Sequence, residues 1–222
     1  SRGSGGIGAT VRTALGVGSL GPVSALALAR GVLTGDKRKG LNVITSTWPR
    51  LFLEANGIQM RVVGEDNAWS HRPAIFIFNH RNQVDFFIAA AVVRDNFTGV
   101  AKKELKTNPL FGTIGRLMDI AFVDRGNSAA ALAAMHDVER LAGEGLSIIV
   151  APEGTRLDTH EVGGFKKGAF AMAMSAGLPV VPIVIRNAED IAGRDSLTIH
   201  PAVIDVAVLP PVDVSGWTRA EL

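Results

Sequence analysis

Residues 74–85, Ala-Ile-Phe-Ile-Phe-Asn-His-Arg-Asn-Gln-Val-Asp, decide how this chain is read. The first five, Ala74 to Phe78, are apolar, mostly β-branched or aromatic, and follow Pro73, the composition of a short buried strand. Beyond them Val84, Phe87, Ile88, Ala91 and Val92 recur at helical spacing. His80 therefore falls in a strand-to-helix turn, and such turns lie at the carboxyl edge of an α/β sheet, where ligands bind. His80 and Asp85 are too far apart to share one helical face, where neighbours lie three or four positions apart. The turn must fold His80 back over the start of the helix. The Asp85 carboxylate can then accept a proton from one ring nitrogen, fix the tautomer and leave the other nitrogen as a base. Asp85 sits in the first helical turn, where the helix dipole favours a carboxylate.

The spacing alone is a weak signal. His200 and Asp205 stand equally far apart, and five histidines among twelve aspartates in 222 residues give about 0.3 such pairs by chance. Context separates the two pairs. His200 and Asp205 lie in the strand-like run Thr198 to Val208, and positions an odd number apart on a strand face opposite ways. His200 reads as an ordinary strand or edge residue, and His136, beside the apolar stripe of its helix, as structural or solvated.

At 222 residues and 47% hydrophobic content the chain can bury one full core. The net charge is only +2, but the basic groups Lys37-Arg38-Lys39, Lys102-Lys103-Lys106 and Lys166-Lys167 suit an anionic surface such as a membrane. No aromatics interleave them and the chain has no tyrosine, which argues against nucleic acid as a partner. Zero cysteines exclude disulfides, thiolate metal sites and cysteine catalysis. With five dispersed histidines and no close ligand pair, no metal site is expected.

Residues 1–6 have the composition of a flexible linker or cut site. Thr13 to Ala29 is an uncharged stretch flanked by Arg12 and Arg30 and interrupted by Gly16, Gly18, Gly21 and Pro22. It is marginal for a spanning helix and reads as a pair of short amphiphilic helices at a membrane interface, with a buried core helix as the alternative; on the first reading residues 1–40 form an N-terminal membrane-associating segment. Residues 41–222 form one α/β domain. Its expected elements are a helix over Asn42 to Asn56, a strand at Ile58 to Val62, the strand and helix around His80, an extended piece near Phe97 to Ala101, a helix start at Asn108-Pro109 and a strand at Met118 to Val123. A helix over Ser128 to Leu141, a strand at Leu146 to Ala151, a helix over Lys166 to Ala176 and a strand at Val180 to Ile185 follow. Pro182 cannot donate to a ladder, which places the last strand at an edge or a bulge. Strands alternating with helices make the fold α/β, with a mixed, largely buried sheet flanked by helices. The last residues resemble the start of a helix with Thr218 and Glu221 as a capping box, so the chain is expected to continue.

Four blocks stand together in order: Asn79-His80-x4-Asp85, Phe122-Val123-Asp124-Arg125, Pro152-Glu153-Gly154-Thr155-Arg156 and Val181-Pro182-Ile183. Together they resemble the glycerolipid acyltransferase family, most closely its bacterial 1-acyl-sn-glycerol-3-phosphate acyltransferases, over roughly residues 40 to 215. The resemblance implies a glycerol-3-phosphate acyltransferase-like fold. It also implies transfer of an acyl group from acyl-CoA or acyl carrier protein to the sn-2 hydroxyl of a lysophosphatidic acid, at the cytoplasmic face of the membrane and with no bound cofactor. Carried onto this chain, His80 is the general base and Asp85 orients it. Arg125 and Arg156 hold the acceptor phosphate, with Glu153, Gly154 and Thr155 shaping the same site. Lys102 and Lys103 are candidates for phosphate contacts and Pro182 for the acyl or acceptor pocket, while Arg81 and Asn82 fall at variable positions and receive no role. Direct attack needs no protein nucleophile, and oxyanion donors at the turn are expected to add to the base. The alternatives are another acceptor (glycerol 3-phosphate, another lysophospholipid or a lyso-ornithine lipid), a thioesterase in which water replaces the acceptor, or a non-catalytic lipid-binding module of the same fold.

Overall fold

The computed structural model describes residues 3–102, 107, 120–123, 128–156, 161–194, 196, 198–218 and 220. Its centre is β2 (Ile75–Phe78), buried on both faces as its unbroken apolar run requires. The pleat sends Ile75 and Ile77 to one side and Phe76 and Phe78 to the other. Phe76 and Phe78 meet α3 (Lys37–Ala55) and α5 (Asp85–Val93) through Phe52, Leu53 and Ile88. Ile75 and Ile77 meet α6 (Ser128–Gly143) and α7 (Lys167–Ala176) through Val138, Leu141, Ala169 and Met172.

Around β2 the described residues form one seven-stranded sheet, ordered β1 (Ile58–Val63), β7 (Ala202–Val208), β6 (Val180–Arg186), β2, β5 (Ser147–Val150), β3 (Phe97–Lys102), β4 (Ala121–Val123). The five strands from β6 to β4 are parallel, while β7 runs against β6 and β1 runs with β7. The sheet is thus mixed, as expected. One edge gathers the carboxyl ends of β2, β5, β6, β3 and β4, which brings blocks far apart in sequence to one place. At the opposite edge the Arg72 guanidinium fixes the start of β2, lying over Trp69 at 4.9 Å and donating to the Val93 carbonyl at 3.1 Å. Burial lowers its pKa from the ordinary arginine value, partly offset by Asp95.

β6 is not an edge strand, which corrects the expectation from Pro182. It lies between β2 and β7, and the Pro182 carbonyl accepts from Leu209 N–H at 2.9 Å. A strand residue's N–H and C=O point to the same side, so the missing N–H of Pro182 also faces the β7 side. There it falls opposite Leu209, one residue beyond the end of β7, where no ladder bond is owed. His200 precedes β7 and is exposed, far from any arrangement with Asp205.

At the N-terminus α1 (Gly3–Gly18) and α2 (Leu20–Thr34) follow one another across the single residue Ser19. The linker-like residues Gly3 to Gly6 are the first turn of α1, which corrects the reading of coil there. Ser19 marks the break: Pro22 has no N–H for the Gly18 carbonyl, and Ser19 Oγ donates instead to the Gly16 carbonyl at 2.7 Å. Gly35 closes α2 in the left-handed region (φ 64), and Asp36 caps α3 by accepting from the N–H groups of Arg38 and Lys39. This cap starts α3 five residues earlier than the apolar spacing suggested. α2 and α3 then cross closely at Gly40. A Cβ there would sit 2.6 Å from the Ala27 carbonyl oxygen and 3.3 Å from Gly31 Cα, both backbone atoms that cannot step aside. Gly40→Ala is accordingly expected to destabilise the α2–α3 crossing by about 1–3 kcal/mol. Limited proteolysis after Arg30 or Lys37 should then run faster than in the parent, and an unchanged cleavage rate would contradict the close crossing. The C-terminal residues Ser215 to Thr218 form a turn and no described helix, and the remainder of the expected cap lies outside the described residues.

Candidate active site

The site is built on the turn between β2 and α5. Asn79 ends β2 by pairing with Ile185 of β6: its side-chain oxygen accepts from Ile185 N–H at 2.7 Å and its Nδ2 donates to the Ile185 carbonyl at 2.8 Å. This side chain continues the sheet beyond the last ladder bond and fixes where His80 begins. The Asn79 side-chain bonds go across to β6 and not into the turn.

His80 Nδ1 lies 3.1 Å from Asp85 Oδ2, and the Asp85 side chain is fully buried while the His80 ring keeps 22% of its surface exposed. The turn does what the spacing required, because the same Oδ2 also accepts from the N–H groups of Arg81 and Asn82 (2.8 Å for Asn82). Asp85 therefore folds the turn and holds the ring with one oxygen. With Nδ1–H donating to Asp85, Nε2 is the nitrogen left to take a proton. Phe78 meets the His80 ring edge-on at 5.6 Å between centroids, which limits its rotation.

The second block comes off β5. Gly154 turns the chain in the left-handed region (φ 74), its N–H donating to the Ala151 carbonyl, and this turn points Glu153 inward. Glu153 Oε1 accepts from His80 N–H at 2.9 Å, and Oε2 accepts from Gly163 N–H at 3.1 Å and lies 3.4 Å from Arg81 Nη1. Its oxygens are directed to the protein, so Glu153 holds the base from behind. Thr155 is exposed and Arg156 half-buried, with Arg156 Nη1 donating to the Arg194 carbonyl at 2.9 Å in the β6–β7 connection. Arg125 and Lys103 lie outside the described residues; Lys102 is the last residue of β3.

The turn cannot supply the expected oxyanion donors from most of its amides. The N–H groups of His80, Arg81, Asn82 and Val84 are taken by Glu153, Asp85, Asp85 and Asn82 respectively. Two residues given no role prove structural to the site: Arg81 is buried against Glu153, and Asn82, fully buried, donates to the carbonyls of Ala188 and Ala192. The available signal was their position, since polar side chains directly after a doubly buried strand must find partners inside the protein.

In the first turn of α5, Phe86 and Phe87 open an apolar cavity of about 240 Å³ between α2, α3, α5 and β3, also lined by Leu41, Ile44, Trp48 and Gly99. Trp48 meets Phe87 edge-on and its Nε1–H donates to the Gly16 carbonyl at 3.1 Å, tying α1 to the cavity wall. Pro182 is not among the lining residues.

Comparison with known proteins decides the family. A family profile described as Acyltransferase matches residues 59–186, more than half of the chain and both the His80 and Glu153 blocks. The chain belongs to the acyltransferase family. Among this acyltransferase's relatives is the 1-acyl-sn-glycerol-3-phosphate acyltransferase of Cocos nucifera, 33% identical over 159 residues, 71% of this chain and 52% of that protein. The human 1-acyl-sn-glycerol-3-phosphate acyltransferase beta is 30% identical over 202 residues, 90% of this chain and 73% of the relative. The Escherichia coli enzyme of the same name is 30% identical over 167 residues, 75% and 67% respectively. The matched region thus spans between half and three quarters of these relatives. In structure, the acyltransferase is similar in fold to the LPA acyltransferase PlsC of Thermotoga maritima, with a TM-score of 0.78 at 21% identity over 97% of this chain and 91% of that one.

Proposed function

We propose that this acyltransferase moves a fatty acyl group from acyl-CoA or acyl carrier protein to the free sn-2 hydroxyl of 1-acyl-glycerol 3-phosphate, giving phosphatidic acid. The observation that carries the reading is the His80–Asp85 pair, buried on the aspartate side and open on the histidine side, at the sheet edge shared with the Glu153-Gly154-Thr155-Arg156 turn. The named relatives point to the acceptor. In the proposed reaction His80 Nε2 takes the hydroxyl proton as the oxygen attacks the thioester carbonyl. The tetrahedral intermediate then collapses with loss of the thiolate, which receives that proton from the imidazolium. Asp85 keeps Nε2 facing the acceptor and balances the imidazolium charge, so no protein nucleophile is needed.

The apolar cavity beside Phe86 and Phe87 suits an acyl chain: it has almost no polar wall and is lined by the two residues that follow Asp85. The N-terminal helices suit attachment to the cytoplasmic face of a membrane. Gly6–Thr34 is long and apolar enough by composition to cross a bilayer, yet is 17% buried, and it exposes Ile7, Val11 and Leu15 along α1 and Leu26, Val32 and Leu33 along α2. Lying in the interface lets these side chains meet lipid while α3 stays on the sheet.

The test is thiol release from palmitoyl-CoA with and without 1-acyl-glycerol 3-phosphate in vesicles. Release that requires the lysolipid supports the proposal, and lysolipid-independent release would identify a thioesterase instead. Arg156→Ala is expected to raise the acceptor KM about 10- to 100-fold, the worth of one or two charge-assisted bonds, and to leave the donor KM unchanged. Equal rises in both would remove Arg156 from the phosphate site.

A further inference from the structure

Arg81 follows the base in sequence, and its guanidinium turns away from solvent: the side chain is 6% exposed. A buried cation is retained only where it is paired and its N–H groups are used. Here Nη1 lies 3.4 Å from Glu153 Oε2, and Nη2 donates to the Glu161 carbonyl at 2.7 Å. Glu153, whose side chain has no exposed surface, uses its other oxygen on the N–H of His80 and shares Oε2 with the N–H of Gly163. A closed circuit of bonds therefore runs from the His80 peptide to Glu153, to Arg81, to the Glu161–Gly163 segment and back to Glu153.

We infer that Arg81 is a positioning residue for the reaction, acting through Glu153: it supplies the counter-charge that keeps the Glu153 carboxylate on the His80 N–H. The inference rests on the acyltransferase reading above and deepens it. Two buried carboxylates grip the base from two sides, Asp85 on the ring and Glu153 on the peptide, and Arg81 contributes to both grips. Its own N–H is one of the three groups that Asp85 gathers, and its side chain neutralises Glu153. Without the guanidinium, Glu153 is left as a buried charge without a cation partner, and the Glu161 carbonyl loses its donor. Water entering to satisfy them competes for the carboxylate and loosens the hold on His80, and displacements near 1 Å in a reacting group cost about 100-fold in rate.

The test compares Arg81→Met, Arg81→Lys, Glu153→Gln and the double variant Arg81→Met/Glu153→Gln with the parent. Arg81→Met is expected to lower kcat about 10- to 100-fold with both KM values within about twofold, because the base is displaced while the substrate contacts remain. Arg81→Lys restores the charge without the second arm of the fork and should recover part of that loss. The double variant should lose much less than the product of the two single losses, since both single changes break one contact. A folded Arg81→Met with parental kcat, or additive losses in the double variant, overturns the inference. Should Arg81→Met not fold, Arg81→Lys carries the test alone, with a several-fold lower kcat at unchanged KM expected and a parental kcat overturning it. Amide hydrogen exchange separates this inference from the reading it rests on. In Arg81→Lys the His80 and Gly163 amides should exchange at least tenfold faster while those of β2 do not change, whether or not the parent transfers acyl groups to a lysolipid. Unchanged exchange at both amides would overturn the role of Arg81 even if transfer depends on His80.

Discussion

Replacing His80 with alanine should lower acyl transfer about 10²- to 10⁴-fold, the range that a positioned general base contributes, with the protein still folded. The expectation follows from where the side chain lies. Its ring is partly open to solvent, its backbone N–H to Glu153 survives the substitution, and among the described residues its one aromatic contact is edge-on, with Phe78. Such an aromatic pair is worth about 0.5–1.5 kcal/mol, so the melting temperature should fall by only a few degrees in a chain of this size. Steady-state thiol release with lysolipid, read beside a thermal melt, checks both halves. A variant that keeps more than a tenth of parental turnover would remove His80 from the chemistry. A variant that no longer melts cooperatively would make it a structural residue.

Asp85→Asn should give a comparable loss of turnover in a folded protein, for a reason specific to this site. Oδ2 carries all three bonds that fold the turn, whereas Oδ1 is buried with no hydrogen-bond partner among the described residues. An asparagine can place its oxygen where Oδ2 was and its amide nitrogen where Oδ1 was. The turn is then preserved, but the negative charge that balances the imidazolium is gone, a change expected to cost about 10²- to 10⁴-fold in kcat. Asp85→Ala differs: it leaves the Arg81 and Asn82 N–H groups buried without acceptors, at about 1–3 kcal/mol each, and should unfold at distinctly lower temperature. If Asp85→Asn retains parental kcat, the carboxylate serves only to fold the turn.

What the sequence revealed and what it hid have one physical explanation. β2 and α5 were legible because their side-chain periods are local: four residues buried on both faces, then apolar positions every three or four. The His80–Asp85 contact was legible for the same reason, since its partners are five residues apart. Asn79, Arg81 and Asn82 were opaque because their side-chain partners lie 72 to 110 residues away, in the turn after β5, on β6 and in the chain beyond β6. Glu153 was singled out by its motif, but no local pattern shows that the turn at Gly154 points it inward. The late start assigned to α3 is different in kind: Gly35 followed by Asp36 was a readable stop and cap, outweighed by the apolar spacing that begins further on.

The order of strands in the sheet carries a consequence for biosynthesis. Among the described residues β1 pairs only with β7, and Ile58 meets a partner 144 positions later at Ala202. At about 5–20 residues per second, a ribosome leaves β1 without its neighbour for roughly 7 to 30 s. Throughout that interval the apolar helices α1 and α2 have already emerged. The exposed apolar side chains of α1 and α2 are therefore made before the strand that completes the sheet. A prematurely terminated product lacking β7 would expose an unpaired strand edge open to aggregation.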